Sequence, residues 1–285
     1  MVLAQILLNG ILLGGLYGLM ALGMALVWGV LNIVNLSHGA LIMLGGYTVY
    51  YLFTLAGIDP FVALPIAMVV MFAAGFALQW GLLNLVVRSK MLNTLLITFG
   101  LDVVLTFAAQ LVFTADFRTI NPSYAGANFP VLGLTVPVVR LAAFCVAVAL
   151  AAGVWFLLNR MPLGRAIRAT AQNLTAARLY GVNPRKLYAI TFGIGAALAG
   201  AAGGLYGMIS NLTPYMGASL TAKSFVIAII GGLANPFNVI LGGIFVGIAE
   251  SLTALYIGPT YTDVISFGLL VVVLVVRPKR AVRAA

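Results

Sequence analysis

Seven apolar runs divide this sequence, and most of them match the thickness of a bilayer's hydrocarbon core. They cover residues 5–29, 36–56, 61–86, 91–114, 136–158, 188–210 and 262–276. A membrane-crossing helix needs about 20 consecutive apolar residues. An eighth apolar stretch, 224–256, is interrupted by "GGLANP" at 231–236. Charged residues make up only 7% of the 285, and hydrophobic residues 63%; soluble domains carry about 25% charge. So few charges cannot cover a water-facing surface, and lipid has to be the solvent. The expected fold class is an all-α polytopic membrane protein with about eight transmembrane helices, forming a single domain over residues 1–285. The start, "MVLAQILLNG", has no Lys or Arg, so the basic region of a cleavable signal peptide is not expected.

The net charge of +10 is concentrated beside the apolar runs. That is the pattern of the positive-inside rule and gives no reason to expect nucleic acid as a partner. Arg88 and Lys90 form one basic connector, Arg160 through Lys186 a second, and Arg277, Lys279, Arg280 and Arg283 a tail. With all three cytoplasmic, the N-terminus lies outside and the C-terminus inside. Lys223 then falls near the outer side, so 224–256 must begin and end outside. Two short spans or a re-entrant hairpin satisfy that count. Gly231 and Gly232 are flexible, and Pro236 lacks an N–H. Non-helical backbone at membrane depth survives only when buried in protein or lining a wet cavity. A transport pathway and a tight interhelical turn therefore both fit, and the glycines are pathway candidates.

Small residues recur every fourth position at Gly10, Gly14 and Gly18, at Gly195, Ala199, Gly203 and Gly207, and at Gly243, Gly247 and Ser251. Such stripes let helices approach closely. The one cysteine, Cys145, excludes an intrachain disulfide and reads as packing.

The stretch "GRAIRATAQNLTAARLYGVNPRK", 164–186, holds five of the fifteen basic residues and no acid. On a helix, Leu163, Ile167, Leu174, Ala177 and Gly181 share one face, and Arg165, Arg168 and Gln172 lie opposite. Asn173 is a good N-cap for a second short helix. Gly181 suits its left-handed end, and Pro184 is expected to delay the next helix. An amphipathic helix on anionic lipid fits this pattern, and so does a rigid knob for a cytoplasmic protein. The small Ala176 and Ala177, where lipid would favour Leu or Phe, lean toward the knob.

This stretch resembles the cytoplasmic loop of permease subunits from ABC importers for branched-chain amino acids. "LLNGILLGGLYGLMALGMALVWGVLNIVNLSHGALIMLGGY" at 7–47 is similar to that family's N-terminal signature. "SFVIAIIGGL" and "LGGIFVGIAES" are similar to its C-terminal half. "ANPFN" after "GGL" and the tail "RPKRAVRAA" depart from the pattern and point to a subfamily with another substrate. The resemblance implies a multi-pass protein of a bacterial or archaeal plasma membrane. It implies a second, related permease, two cytoplasmic ATPase subunits, an extracytoplasmic binding protein and surrounding lipid as partners. It implies 159–187 as the coupling loop, with Gln172, Asn173, Ala176, Ala177, Arg178, Gly181 and Pro184 facing the ATPase. ATP and Mg would be used by the partner subunits, and no cofactor or metal by this chain.

Polar residues inside the membrane are costly and mark pathways or helix contacts. Asp102 falls near mid-bilayer in its span. Asn93 and Thr94 precede it, and Thr94, Thr98 and Asp102 share a face at spacing four. Both a structural hydrogen bond and a substrate path fit Asp102, and Thr often bonds its own backbone. "NLSHG" holds the only histidine, His38, with Asn35 and Ser37 suggesting a helix start or break. Glu250 is expected near the outer surface, and Arg140 at the outer interface. The branched-chain reading leaves urea, short amides or another small polar solute as alternative cargo. A secondary transporter or channel is the rival class. Enzyme chemistry is disfavoured: "HExxH", a nucleophile elbow and "GxxxxGK[ST]" are absent from the sequence.

Overall fold

The structure, a computed structural model, describes residues 2–86, 91–131, 133–233 and 235–276. Its helices are α1 (Val2–Leu31), α2 (His38–Ala56), α3 (Pro60–Gly81), α4 (Met91–Phe113), α5 (Val138–Arg160), α6 (Pro162–Gln172), α7 (Leu174–Leu179), α8 (Pro184–Gly207), α9 (Met216–Gly231), α10 (Pro236–Tyr256) and α11 (Thr262–Val276). Among the described residues, α1 to α5, α8 and α10 are long and apolar enough to cross a membrane, while α9 and α11 are shorter apolar helices. The expected all-α polytopic fold stands. The basic residues Arg88, Lys90, Arg277, Lys279, Arg280 and Arg283 lie outside the described residues.

The core is built on α1 and α8, and glycine explains why. α1 packs along α10, and α8 along α2 and α3. A Cβ on Gly14 would come within 2.5 Å of Ile244 Cα, and one on Gly10 within 2.8 Å of Ile248 Cα. Gly243 and Gly247 face Gly14 and Gly18 from the other side, so the first and third small-residue stripes meet each other. The middle stripe divides, with Gly195 against Gly23 and Val27 of α1 and Gly203 against Ile42 and Gly46 of α2. Side-chain-free surfaces let backbones touch, which is how helices pack where lipid removes the hydrophobic drive.

Three helices begin on an Asx–Pro pair. Asp59, Asn183 and Asn235 accept from Phe61 N, Lys186 N and Phe237 N at 2.9, 3.3 and 3.0 Å, each followed by Pro at the first helical position. Pro184 thus starts α8 instead of delaying it. Its missing N–H is one of the donors a helix start leaves unused anyway.

The stretch 224–256 is a helical hairpin. α9 begins at Met216, eight residues before the expected boundary, and ends at Gly231, and α10 begins at Pro236. The irregular backbone lies instead between α1 and α2. Ile33, Val34, Asn35 and Ser37 are all buried, and Asn32 has φ 54°. His38, first residue of α2, places Nε2 2.8 Å from Met20 O. Met20 lies eleven residues before the end of α1, about 17 Å back along the helix. The linker therefore climbs beside α1 before α2 begins.

At the opposite end, β1 (Asn128–Val131) and β2 (Leu134–Pro137) pair antiparallel, Asn128 opposite Pro137. This small hairpin was not expected. Gln5 ties it to α1, donating to Thr135 O at 2.7 Å and accepting from Thr135 N at 2.8 Å. Arg118 and Leu212 exchange two backbone hydrogen bonds, 3.0 and 2.7 Å, pinning this segment to the α8–α9 connection. Cys145, read as packing, is exposed on α5; α5 turns only its Val139, Ala143, Ala147, Ala151 and Val154 edge inward.

Candidate functional sites: a walled cavity and a two-helix knob

A cavity of about 580 Å³ opens between the α1–α2 linker, α4, α9 and α11. Leu36, Phe99, Asp102, Thr221, Phe225 and Phe267 are among its lining residues. Among the described residues the lining is apolar apart from Asp102 and Thr221, and no Lys or Arg contributes to it. Its volume lies within the usual range for small-molecule sites.

Local chemistry fixes the walls. The Thr221 hydroxyl accepts from Gly39 N at 2.8 Å and donates to Leu36 O at 3.2 Å, joining α9 to the start of α2. Thr98 donates to Leu95 O at 3.1 Å and reaches Val34 O at 3.4 Å. Phe225 stacks on Trp28 of α1, centroids 5.0 Å apart. The linker's own polar groups turn inward: Asn35 Oδ1 accepts from Ser37 N at 3.1 Å and from Ser37 Oγ at 2.7 Å. Irregular backbone here is buried in protein and borders a cavity, the setting that lipid demands.

The sequence-selected polar residues separate. Asp102 lines the cavity, and its Oδ1 is enclosed without a hydrogen-bond partner among the described residues. Thr94 and Thr98 are buried in helix contacts, Thr94 reaching Val86 O at 3.4 Å. Asn93 is on the exposed side of α4. Asn35, Ser37 and His38 hold the linker behind the wall. Gly231 packs on Asn238 and Val239, and Gly232 ends α9 with φ 79°. Both glycines belong to the hairpin turn, away from the residues that line the cavity.

Behind α9 lies a group that sequence reasoning missed. Lys223 Nζ is 2.8 Å from Glu250 Oε1, and both side chains are largely buried. Ser266 Oγ donates to the same carboxylate, and Lys223 Nζ sits 4.5 Å from the centroid of the Tyr17 ring. The pair links α9 to α10, with α1 and α11 contributing the ring and the hydroxyl. Glu250 is therefore interior, 5% exposed, where its position near a run's end suggested the surface. The available signal was that Lys223 and Glu250 stand almost alone as charges between 187 and 276.

At the far end, α6 and α7 form the knob. Gly164 lets α6 fold tightly on the end of α5: a side chain there would strike Leu157 O and the Leu158 backbone. Ile167, Thr170 and Ala177 are buried, and Arg165, Arg168 and Gln172 exposed. Arg168 donates to Asn159 Oδ1. Asn173 Oδ1 caps α7 by accepting from Ala176 N at 2.9 Å, and Gly181 ends it at φ 82°, both as expected. Arg178 is exposed, Ala176 half-buried, and Pro184 buried at the start of α8. Leu179 and Tyr180, which the helical pattern did not single out, protrude at 84% and 90% exposure. A second cavity, about 270 Å³, separates Ile167, Arg168 and Gln172 of α6 from Leu26 and Val30 of α1 and Leu233 of the α9–α10 turn. The knob thus sits beside the turn that ends the cavity's α9 wall.

Long apolar helices around a solute-sized cavity, with a structured knob at one end, define a multi-pass membrane permease. The family model described as "Branched-chain amino acid transport system / permease component" matches residues 6–274, and the chain belongs to that family. It is 31% identical to BraD, a high-affinity branched-chain amino acid transport system permease protein of Pseudomonas aeruginosa, over 96% of this chain and 94% of that one. It is 32% identical to LivH of Escherichia coli over 96% and 93% of the two chains. It is 29% identical to LivM of the same organism over 93% and 67%. Both are named as permease proteins of a high-affinity branched-chain amino acid transport system, so two distinct permeases of that kind in one organism are similar to this chain. The chain is accordingly a transporter subunit of the plasma membrane, of a family that is not enzymatic.

Proposed function

We propose that this chain is one of two permease subunits of an ATP-driven importer for branched-chain amino acids. The observation that carries this reading is the two-helix knob with its unpartnered Leu179–Tyr180 tip. Two exposed apolar side chains on a rigid, capped helix present a surface for a protein, whereas a lipid-lying helix would turn its apolar face outward along its length. Two cytoplasmic ATPase subunits bind ATP and Mg, hydrolyse the nucleotide and grip residues 159–187. An extracytoplasmic binding protein delivers cargo, and this chain binds no cofactor and catalyses no reaction. The N-terminus lies outside and the C-terminus inside. Movement of α6 is passed through the adjacent Leu233 turn to α9, and so to the cavity wall. Packed rigid helices convert small shifts at one end into alternating access at the other.

The test is uptake and co-purification in the assembled transporter. Tyr180→Asp is expected to release the ATPase and lower leucine uptake at least about tenfold, the scale of losing one buried interface anchor, while the chain's own melting temperature holds. Leucine uptake by this chain alone, in vesicles without ATP, would overturn the reading in favour of a secondary transporter or channel. Uptake blocked by urea or short amides and indifferent to leucine would reassign the cargo. Labelling of Arg168→Cys from outside intact cells would reverse the orientation.

A further inference from the structure

We infer that Asp102 is the cation-recognising group of the 580 Å³ cavity: a solute in transit seats its ammonium group on this carboxylate and its aliphatic part against Phe99, Phe225 and Phe267. The inference deepens the importer reading and rests on it for the cargo's class, a small aliphatic amino acid, whose ammonium group supplies the positive charge.

Two carboxylates carried by membrane helices, Glu250 and Asp102, make the case by contrast. Glu250 shows what a structural one looks like here. It is 5% exposed, paired to Lys223 at 2.8 Å and further bonded by Ser266. Asp102 has none of these. It is half-buried and lines the cavity, and its enclosed Oδ1 has no hydrogen-bond partner among the described residues. A polar group at membrane depth without a partner is expensive, and such residues are retained for a ligand or an ion.

The rest of the cavity agrees on sign. Among the described residues no basic side chain lines it. Lys223, two residues from Thr221 on α9, is engaged behind that helix by Glu250 and the Tyr17 ring. Aromatic faces carry negative potential and accept cations, and three phenylalanines stand in the wall. A ligand that brings its own positive charge and a short apolar body satisfies every surface present. A carboxylate or dicarboxylate lacking an amine satisfies none of the polar ones.

The experiment uses the full transporter in lipid nanodiscs, in a Cys145→Ala background, with Ala222→Cys placing a thiol in the cavity. Cationic and anionic methanethiosulfonate reagents of equal size report the local potential. The cationic reagent is expected to react faster, and Asp102→Asn to lower the cation-to-anion rate ratio by roughly tenfold, the effect of one nearby charge at intermediate dielectric. Asp102→Glu, which keeps the charge, is expected to keep the ratio. Millimolar leucine and 3-methylbutylamine should protect the thiol, and 4-methyl-2-oxopentanoate should not. A ratio unchanged by Asp102→Asn, or equal protection by the oxo acid, overturns the inference. The protection assay needs no substitution at position 102, so a variant that fails to assemble does not blunt it. Failure here with leucine uptake intact leaves the importer reading standing. Protection by 3-methylbutylamine without leucine uptake would sink the importer reading and keep the site.

Discussion

α1 and α4 are equally apolar by mean hydropathy, yet 89% of the most apolar window of α1 is buried inside the protein and only 17% of that of α4. The difference lies in what each helix offers a neighbour. α1 carries Gly10, Gly14 and Gly18 in contact with α10, and Gly23 against α8. α4 has Gly100 alone, with nothing within 4 Å of where a Cβ would stand. Hydropathy says that a helix can cross the membrane. Small-residue spacing says whether it crosses inside the protein or at its rim. α4 turns Leu92, Leu96, Val104, Phe107 and Leu111 outward, a surface for lipid or for the second permease.

The sharpest way to break this comparison is Gly14→Leu. The new side chain has backbone on its path, Ile244 Cα at 2.5 Å and Gly243 O at 2.7 Å, and cannot be relieved by a rotamer change. Monodisperse protein is expected to be lost, with a cost of about 3 kcal/mol or more, the upper range for overpacking. A variant that melts like the parent would remove glycine contact as the basis of the core. Next in size, Glu250→Gln tests whether α10 is held by charge as well as by close approach. It removes the carboxylate charge 2.8 Å from Lys223, at a cost of about 3–5 kcal/mol, read as a fall in melting temperature. The double substitution Lys223→Met with Glu250→Gln should recover most of that fall, because it removes both buried charges together. Failure to recover would mean the pair is more than a mutual counter-ion.

Smaller effects refine the picture. Asn173→Ala removes the α7 cap and is expected to cost about 1 kcal/mol. The loss should be confined to the knob, seen as faster amide exchange over 174–179 at an unchanged global melt. Gly100→Leu should be nearly silent in the isolated chain, within about 0.5 kcal/mol. If it destabilises the chain as Gly14→Leu does, the distinction between the two helices is wrong. If it weakens only the assembled transporter, α4 faces the partner permease.

Features decided by local chemistry were legible in the sequence. The spans follow from run length, the α6–α7 break from Asn173, and the end of α7 from Gly181. The small-residue stripes announced close contact, though not that the first and third would meet each other. What escaped depends on chain segments far apart. Glu250 looked superficial because its depth was counted from the end of an apolar run, whereas its burial comes from Lys223 of α9 and Ser266 of α11. Asp102, Thr98 and Thr94 share a face, but only the structure separates the one at the cavity from the two that serve helix contacts. Thr221 carried no signal at all: its role requires Gly39 N and Leu36 O, more than 180 residues away.

That distance has a consequence for biosynthesis. The climbing linker at 32–37 and the first amides of α2 receive their cover from α9, which leaves the ribosome when about three-quarters of the chain has been made. Lipid cannot shelter an irregular backbone in the interim. The opening pair of helices must therefore wait, at the interface or in the translocation machinery, for a partner translated long afterwards, and a ribosome stalled before residue 221 would release a product whose second helix has no stable place to rest.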